Sequence, residues 1–329
     1  MTIVVDYTYD TNNFFNSQAK RSAMQAVADR YSRVITSSLL RIEASYNGGS
    51  SDWRIGFTHP GTGADFEIST APSAGSDALV GVGAQPANVY NPALVLPANT
   101  WLLFAGGRPG LGSAGQGGTG TGTNFQNVFD DLNGPMHRGV IFPNTPGNSV
   151  NDLPAWGGAV TFDSSETWHF GIATAASGAA TDFYSIALHE VGHALGLSTD
   201  WNQWQDSAGI YGGIHGVAAY NADNGASRTG LNEVSAGNEH WKDNTYESFI
   251  FSLGEPNYAG TAGPLTRQDL LMEPIANFVE PSLQRFELTN VDVGALRDIS
   301  WSVIPESGSA LLGLVGVLVA SSRRARRRS

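Results

Sequence analysis

Two histidines and a glutamate stand close together in the middle of the chain, at His189, Glu190 and His193. Residues four apart lie on the same face of an α-helix, so the two imidazoles would point at one centre. Neutral imidazole is a good zinc ligand, and catalytic zinc sites keep three protein ligands and an open position. Glu190 could take a proton from water and later deliver it to a leaving amine. The pattern predicts a metal centre with hydrolytic chemistry.

The residues around this pattern predict the helix that must position it. Asp182 can cap the helix start, Phe183 and Ile186 begin an apolar pattern of helical spacing, and Gly196 provides a stop. An ordinary helix can also carry two histidines at this spacing by chance, with the glutamate simply exposed to solvent. The residues that follow His193 help to distinguish a metal site from such a chance spacing.

The longer string from His189 to Gly196 reads His-Glu-x-x-His-x-x-Gly and resembles the metzincin peptidases. Residues 183–188, which precede it, also resemble the active-site helices of matrixins. The resemblance implies an α+β metzincin (zincin-like) fold with a twisted mixed sheet, an active-site helix and an irregular C-terminal lobe. It further implies a zinc metalloendopeptidase that cleaves proteins or peptides, with zinc bound by His189 and His193 and with Glu190 as general acid and base.

The third zinc ligand is where this sequence departs from the usual metzincin pattern. A histidine is expected three residues after the glycine, but Thr199 stands there, and threonine is a poor zinc ligand. The residues leave four options: Asp200 as an oxygen ligand, His215, His240, or a degenerate site without a third ligand. A lone histidine is often an ordinary surface residue, so composition does not choose among them.

A second resemblance favours one of these options. Three segments resemble leishmanolysin-like metzincins and related bacterial matrixin-like peptidases, in which an insertion separates the glycine turn from a His-Trp pair: residues 217–220, 239–241 and 271–274. The resemblance implies that His240 completes the zinc site and that Met272 occupies a turn beneath it. No tyrosine follows Met272 closely, so no auxiliary phenol is assigned. The remaining histidines, at positions 59, 137 and 169, receive no role.

The rest of the chain predicts alternating sheet and helix before the metal-site helix. We expect a strand at residues 3–9, a helix that opens at residues 16–17, strands within residues 39–69 and more sheet around residues 89–104. Residues 106–123 are rich in Gly, Ser and Thr and predict a surface loop. The strand at 157–162 resembles the cleft edge strand to which metzincins add the substrate backbone.

After the helix we expect a long irregular stretch at residues 198–264 and a final helix within residues 288–301. These expectations divide the chain into a metallopeptidase domain at residues 1–302 and a tail at residues 303–329. The tail has a Pro-Glu-Ser motif, a short apolar run and an arginine-rich end, an order that resembles the PEP-CTERM sorting tails of exported bacterial proteins. The apolar run is shorter than the roughly 20 residues of a spanning helix.

The net charge and the absence of cysteine limit the partners and the kinds of site that we expect. The formal net charge of −12 repels nucleic acid and anionic lipid, so we expect no nucleic-acid partner and contact with a membrane only through a transient tail. Cysteine is absent, which excludes disulfides, thiolate zinc sites and a cysteine-based latency switch. The Gly-, Asp- and Asn-rich loops could hold calcium, although no Asp-x-Asp-x-Asp-Gly string is present.

Two functions remain open from the sequence. The first is a zinc metalloendopeptidase, secreted or held at the surface of a bacterium, although no secretory signal is visible. The alternative is a catalytically inactive protein of metzincin fold that binds other surface or extracellular matrix proteins. The alternative depends on the absent proximal ligand at Thr199. The sequence does not specify the oligomeric state.

Overall fold

A computed structural model of the chain shows an α+β arrangement of four helices and sixteen strands in the residues that it describes. Those residues are 1–43, 53–70, 87–91, 93–124, 138–139, 155–174, 176, 180–197, 204, 206, 208–232, 240–242, 245–253, 266–274 and 285–304. The helices are α1 (Gln18–Val34), α2 (Phe183–Ala194), α3 (Ile214–Asn224) and α4 (Asn290–Asp298).

The strands fall into two four-stranded sheets and several two-stranded pairs. In chain order they are β1 (Thr2–Asp6), β2 (Ile42–Glu43), β3 (Trp53–Thr58), β4 (Asp65–Ser69), β5 (Ala87–Tyr90), β6 (Val95–Leu96), β7 (Thr100–Arg108), β8 (Gly115–Thr119), β9 (Thr121–Asn124), β10 (Gly157–Asp163), β11 (Trp168–His169), β12 (Thr181–Asp182), β13 (Ile210–Tyr211), β14 (Leu231–Asn232), β15 (Glu247–Phe249) and β16 (Arg267–Asp269).

The first of the two large sheets, which we call the main sheet, carries the metal-site helix. Its strand order is β1-β7-β10-β8, with β1, β7 and β10 parallel and β8 antiparallel to β10. Helices α1 and α2 pack on one face of the main sheet around a core that includes Val27, Tyr31, Val160 and Leu188. The mixed character of this sheet and its helix cover agree with the expected α+β class.

The second sheet packs against the other face of the main sheet and has the strand order β5-β4-β3-β9. A smaller apolar core fills the space between the two sheets, where Ile55 and Phe57 of β3 meet Phe104, Trp156 and Ala159. The chain passes from one sheet to the other at Gly120, between β8 and β9. Strand β9 of the second sheet therefore follows directly on β8, the outer strand of the main sheet.

Several sequence predictions are confirmed. Helix α1 follows Ser17, whose hydroxyl accepts a hydrogen bond from the Lys20 backbone N–H, and it buries residues at helical spacing. Strands β3 and β4 lie within residues 39–69, where strands were expected, and they pair antiparallel. Helix α4 begins after Thr289 with a complete capping box and lies inside the predicted span.

The predicted surface loop at residues 106–123 was wrong for most of its length. Strand β7 continues to Arg108, and β8 and β9 occupy residues 115–119 and 121–124. The segment lacks apolar periodicity because its glycines lie where other backbone comes close: a Cβ on Gly117 would overlap the carbonyl oxygen of Glu190. Strand β8 is defined by its pairing with β10 and by this close approach to α2. Neither contact produces a pattern of apolar residues in the sequence.

The predicted irregular stretch at residues 198–264 was also partly wrong, because it contains α3 and three short strands. Helix α3 buries only Gly216, Val217 and Tyr220, so its apolar stripe is short. It packs against α4 through small residues: a Cβ on Gly294 would lie 2.8 Å from the Cα of Gly216. Helices that meet through glycines need few large apolar residues, so the helical pattern is weak in the sequence.

The domain boundary predicted between residues 302 and 303 stays a prediction, since residues 305–329 lie outside the described part of the chain. The first two residues of the predicted tail are described and pair with the end of α1: Val303 forms a bridge with Ile35, and the Ile304 backbone N–H donates to the Val34 carbonyl. Among the residues that are described, no helix combines the length and the apolar character needed to cross a bilayer.

Candidate metal centre

Helix α2 holds the histidine pair in the buried centre of the molecule. Asp182 caps its start by accepting hydrogen bonds from the backbone N–H and hydroxyl of Ser185. All twelve residues of α2 are buried, as expected for a helix enclosed between a sheet and further chain. The rings of His189 and His193 lie on one face with centroids 4.6 Å apart. The predicted helix and its orientation of the two imidazoles are therefore present.

His240 enters this site from a segment far along the chain. Its Nε2 lies 3.3 Å from Nε2 of His189 and 3.2 Å from Nε2 of His193. The three histidines form a group whose ligand atoms all lie within 4.8 Å of one another. Tetrahedral zinc with Zn–N distances of about 2.0–2.1 Å would separate its nitrogen ligands by roughly 3.3 Å. The spacing of the three nitrogens fits such an ion.

The other ring nitrogens of the first two histidines are held by backbone carbonyls. Nδ1 of His189 lies 2.7 Å from the carbonyl oxygen of Leu271, and Nδ1 of His193 lies 2.9 Å from that of Leu197. A carbonyl can only accept, so each Nδ1 carries the proton and each Nε2 presents its lone pair to the centre. This tautomer is the one required of a metal ligand.

Burial keeps the three imidazoles neutral. It lowers the pKa of His193 to about 3 and that of His240 to about 4, and it holds the pKa of His189 well below its usual value of 6.5. The neighbouring imidazoles lower the pKa of His189 and His193 further, because a second positive charge at this distance is unfavourable. Neutral imidazole is the form that binds a metal.

Among the described residues, His240 is the candidate for the third ligand that joins the helix histidines. Asp200 and Thr199 are outside the described residues. His215 lies in the first turn of α3, where its backbone N–H donates to Asp298, and it does not join the three-histidine group. His59 accepts hydrogen bonds at Nδ1 from the turn that follows it. His169 contacts the carbonyls of residues 171 and 174, and residue 137 is not described.

Glu190 lies on the same helix between the two histidine ligands and is 2% exposed. Burial raises its pKa to about 8, and a hydrogen bond from the backbone of Gly117 opposes that shift. A Cβ on Gly115 would lie 2.7 Å from Cγ of Glu190, so the glycines of β8 leave room for this side chain. The carboxyl group thus lies between the outer strand and the histidines, at the wall of a cavity.

Met272 packs against Gly192, which stands between the two helix histidines, in agreement with the turn that the resemblance placed beneath the site (residues 271–274, here called the Met-turn). It is fully buried, and a Cβ on Gly192 would lie 2.7 Å from its sulfur and 3.0 Å from the hydroxyl of Tyr31. The glycine within the histidine motif therefore makes room for the methionine. The carbonyl of Met272 accepts a hydrogen bond of 2.9 Å from the backbone N–H of Trp241, which follows the third histidine.

A buried carboxylate on α4 joins the two segments that complete the site. Asp292 accepts hydrogen bonds from the indole N–H of Trp241 at 3.2 Å and from the backbone N–H of Leu271 at 3.1 Å. It also accepts from the backbone N–H and hydroxyl of Thr289 at the helix cap. The sequence analysis missed Asp292, and its only local signal is the Thr-x-x-Asp capping spacing.

A cavity of about 770 Å³ opens in front of the histidines. Its walls come from β8 and the chain just before it, from β10, from α2, from the end of β3 and from the Met-turn; they comprise Thr58, Gly112, Ser113, Ala114, Gly115, Gln116, Gly117, Gly118, Thr119, Ala159, Thr161, His189, Glu190, His193, His240 and Pro274. A cleft of this size accommodates several residues of an extended peptide.

The strand at the edge of this cleft is not the one that the sequence suggested. Strand β10, which contains the predicted residues 157–162, lies inside the sheet and pairs with β7 on one side and β8 on the other. In the described part of the chain the outer strand is β8, which lies in the segment predicted as a loop. The prediction was wrong because continuous burial of β10 indicates an interior strand, whereas a cleft edge must keep free backbone groups.

Comparison with known proteins adds one match. The Matrixin family model (Peptidase_M10) matches residues 145–203, a segment that contains α2 with both of its histidines and Glu190. No curated protein and no solved structure matches the chain. The Matrixin match and the group of three histidines together suggest a zinc metallopeptidase. The expectation of calcium stays a prediction.

Proposed function

We propose that this chain is a zinc-dependent endopeptidase of the metzincin type, with His189, His193 and His240 as the metal ligands and Glu190 as general acid and base. One observation carries the proposal: Nε2 of His240 lies 3.2–3.3 Å from Nε2 of both helix histidines, across 47 and 51 residues of sequence. Three neutral imidazoles beside a buried carboxyl group in a cleft are the donor set of a hydrolytic zinc centre.

When bound at this centre, zinc would polarise the scissile carbonyl and lower the pKa of an adjacent water. Glu190 would accept the proton of the attacking water and return it to the departing amine nitrogen. The backbone N–H of Gly117 would hold the carboxyl group in place. The carbonyls of Leu271 and Leu197 would keep the first two imidazoles oriented for coordination.

The outer strand β8 provides a site for the substrate backbone. An extended peptide can add to such an edge, with its main chain hydrogen-bonded to the strand and its side chains in pockets on both faces. Strand β8 lines the cavity over its whole length and places Gly115 and Gly117 against Glu190. A peptide on β8 would therefore cross the front of the histidines. Protein or peptide substrates are the partners that this arrangement favours.

The alternative function, a catalytically inactive protein that binds surface or extracellular matrix proteins, is less well supported than the peptidase. That alternative rested on the missing ligand at Thr199, but His240 lies at ligand distance in its place. Export to the surface of a bacterium, with a PEP-CTERM-like tail at residues 303–329, remains part of the proposal on sequence grounds alone.

Zinc content and proteolysis test the proposal together. The full chain, purified and dialysed against metal-free buffer, should contain about one zinc by atomic absorption and should cleave fluorescently labelled casein. Treatment with 1,10-phenanthroline should abolish cleavage, and added zinc should restore it. The His189→Ala, His193→Ala double variant is the control that should lack both zinc and activity. A wild-type protein that binds no zinc and cleaves no casein would support the binding protein instead.

A further inference from the structure

The outer strand β8 has two faces, and they differ in chemistry. Gly115 and Gly117 face α2 and the metal centre, where added Cβ atoms would meet Glu190. Gln116 and Gly118 alternate with them, point to the opposite face, and are exposed. Thr58, at the end of β3 in the second sheet, lines the same cavity. The second sheet therefore gives the cleft a wall on the face of β8 that points away from the metal.

Among the described residues, Arg108 is the arginine that lies at this second face. Arg108, the last residue of β7, donates from Nη2 to the side-chain oxygen of Gln116 at 3.0 Å. Its guanidinium also packs on the turn between β3 and β4, where a Cβ on Gly63 would overlap Nη1 and lie 2.9 Å from Nη2. Gly63 also has φ +77°. A side chain at this position is therefore disfavoured both by the contact with Arg108 and by the left-handed backbone conformation. Arg108 is thus held between the second sheet and the outer strand.

Arg108 has no ion-pair partner in the described part of the protein; the carboxylate of Asp163, its register neighbour on β10, accepts instead from Gly110, Leu111 and Ser165. No aspartate or glutamate among the described residues lies within ion-pair distance of Arg108, and its buried Nε has no hydrogen-bond partner there. Buried arginines elsewhere in the chain have acceptors: Arg54 pairs with Glu67, Arg285 pairs with Asp182, and Arg138 donates to backbone carbonyls. An unpaired guanidinium in a chain of net charge −12 is therefore a distinct feature of this face.

The side chain of Gln116 adds hydrogen-bond donors beside Arg108. Gln116 uses its side-chain oxygen to accept from Arg108, and among the described residues its amide N–H groups have no acceptor. Thr58 and Thr161 also line the cavity. A guanidinium and an amide N–H₂ next to each other match the two oxygens of a carboxylate.

We propose that Arg108 and Gln116 form a subsite that selects an acidic side chain in the substrate. The inference rests on the proposed peptidase function and adds a specificity to it. When a peptide pairs with β8, the residue directly opposite Gln116 places its side chain on the Gln116 face, because cross-strand partners share a face. That side chain meets Arg108, whereas its two neighbours in the peptide point to the metal side. One acidic residue at one position is therefore favoured.

The overall charge of the chain limits this preference to that position. A net charge of −12 repels strongly acidic peptides at long range, so several carboxylates in one substrate would slow association. A single glutamate in an otherwise neutral or basic peptide gains the contact with Arg108 without that cost. The expected substrate carries one acidic residue on the N- or C-terminal side of the cleaved bond, at a fixed distance from it.

A position scan with quenched fluorescent peptides tests this subsite. Each peptide carries Glu, Gln or Lys at one position around a common cleavage site, and kcat/KM is measured with the full-length zinc protein. At one position the Glu peptide should exceed the Gln peptide by roughly ten-fold, the size expected for one charged hydrogen-bonded pair that stays partly hydrated. The Lys peptide should be poorer than the Gln peptide at that same position.

Two variants assign the preference to these residues. Arg108→Gln should bring the Glu/Gln ratio close to one, and Gln116→Glu should do the same by giving Arg108 an internal carboxylate partner. Arg41→Gln is the matched control, because Arg41 pairs with Glu43 on an exposed surface, whereas Arg108 contacts Gln116 of the cavity wall. The control should keep the ratio of the wild type. Circular dichroism of each variant verifies that it is folded.

Binding gives a readout that does not depend on turnover. Fluorescence anisotropy with the Glu190→Gln protein should show tighter binding of the labelled Glu peptide than of the Gln peptide, and Arg108→Gln in that background should remove the difference. If the wild type cleaves peptides but shows no acidic preference at any position, or if Arg108→Gln keeps the preference, the subsite is refuted while the peptidase stands. If the zinc-loaded wild type cleaves no peptide, both proposals are refuted.

Discussion

Gly117 of the outer strand lies directly against the backbone of Glu190 on the metal-site helix. A Cβ on Gly117 would overlap the carbonyl oxygen of Glu190 and lie 2.7 Å from its carbonyl carbon. The backbone N–H of Gly117 also lowers the pKa of the Glu190 carboxyl group, against the larger effect of burial. The strand that would hold the substrate and the helix that carries the proposed general base are thus in backbone contact at one residue.

The substitution Gly117→Ala should therefore separate the helix from the strand. Backbone atoms cannot move aside as a flexible side chain can, so we expect a loss of about 1–3 kcal/mol in the free energy of unfolding and weaker zinc retention. Gly118→Ala is the matched control, because nothing lies within 4 Å of a Cβ at that position. Thermal unfolding of both variants would decide the matter, and equal midpoints would refute this account of the contact.

The role of Glu190 predicts a separation of metal binding from catalysis. Glu190→Gln keeps the size of the side chain but removes the proton acceptor, so zinc content should stay near that of the wild type. Casein cleavage should fall by about 10²–10⁴-fold, the usual contribution of a general acid–base group. Glu166→Gln, at an exposed glutamate, should leave cleavage unchanged. Full activity of the Glu190→Gln protein would exclude the proposed mechanism.

The choice of His240 as third ligand predicts a difference between two histidine variants. His240→Ala removes one of three ligands and should weaken zinc binding by more than about 100-fold, beyond the loss seen when only an outer hydrogen-bond partner is removed. His215→Ala should bind zinc as the wild type does, because His215 lies on α3 outside the group. Competition titration with a chromophoric chelator measures both affinities. If His240→Ala binds zinc with the affinity of the wild type, His240 is not the third ligand, and Asp200 becomes the candidate.

Asp292 should act on the metal through the segments that it joins. Asp292→Ala leaves the buried donors of Trp241 and Leu271 without an acceptor, so it should loosen both His240 and the carbonyl that holds His189. Zinc affinity should fall by about 10–100-fold. Asp298→Ala removes a buried carboxylate of the same helix whose partners lie on β13 and α3, and it should reduce stability with a smaller effect on zinc. Equal zinc affinities in the two variants would contradict the proposal that Asp292 positions the zinc ligands.

The parts of this site that the sequence predicted are those encoded by short spacings. The helix cap at Asp182, the i, i+4 pair of histidines and the stop at Gly196, which has φ +97°, each depend on residues a few positions apart. Local steric and hydrogen-bonding rules connect such residues directly. The Met-turn followed from resemblance, and the burial of Met272 against Gly192 agrees with it.

The parts that the sequence could not predict depend on contacts between distant segments. His240 stands 51 residues after His189, and no local periodicity fixes its position. Strand β8 carries four small residues and one glutamine, so its strand character comes from β10 and from its close approach to α2. Helix α3 is fixed by the contact of Gly216 with Gly294. In each case the missing information is the tertiary partner.

Burial of Glu190 also predicts how the stability of the metal-free protein depends on pH. Its pKa is raised from 4.5 to about 8 in the folded state, so between these values the unfolded chain has lost the proton that the folded chain still holds. The unfolded state then binds fewer protons, and the free energy of unfolding must decrease as pH rises through this window. The loss due to Glu190 should approach several kcal/mol, on the order of 1.4 kcal/mol per unit of pKa shift.

Urea unfolding in EDTA at pH 5, 6.5 and 8 isolates this effect when the wild type is compared with Glu190→Gln. The lowered pKa values of His193 and His240 make stability rise as pH increases from about 3 or 4 to 6.5, but both proteins share that contribution. The stability of the wild type relative to the variant should therefore fall steadily from pH 5 to pH 8. A difference that stays constant across this range would mean that Glu190 is already ionised in the folded metal-free protein, and that its carboxylate does not experience the burial described here.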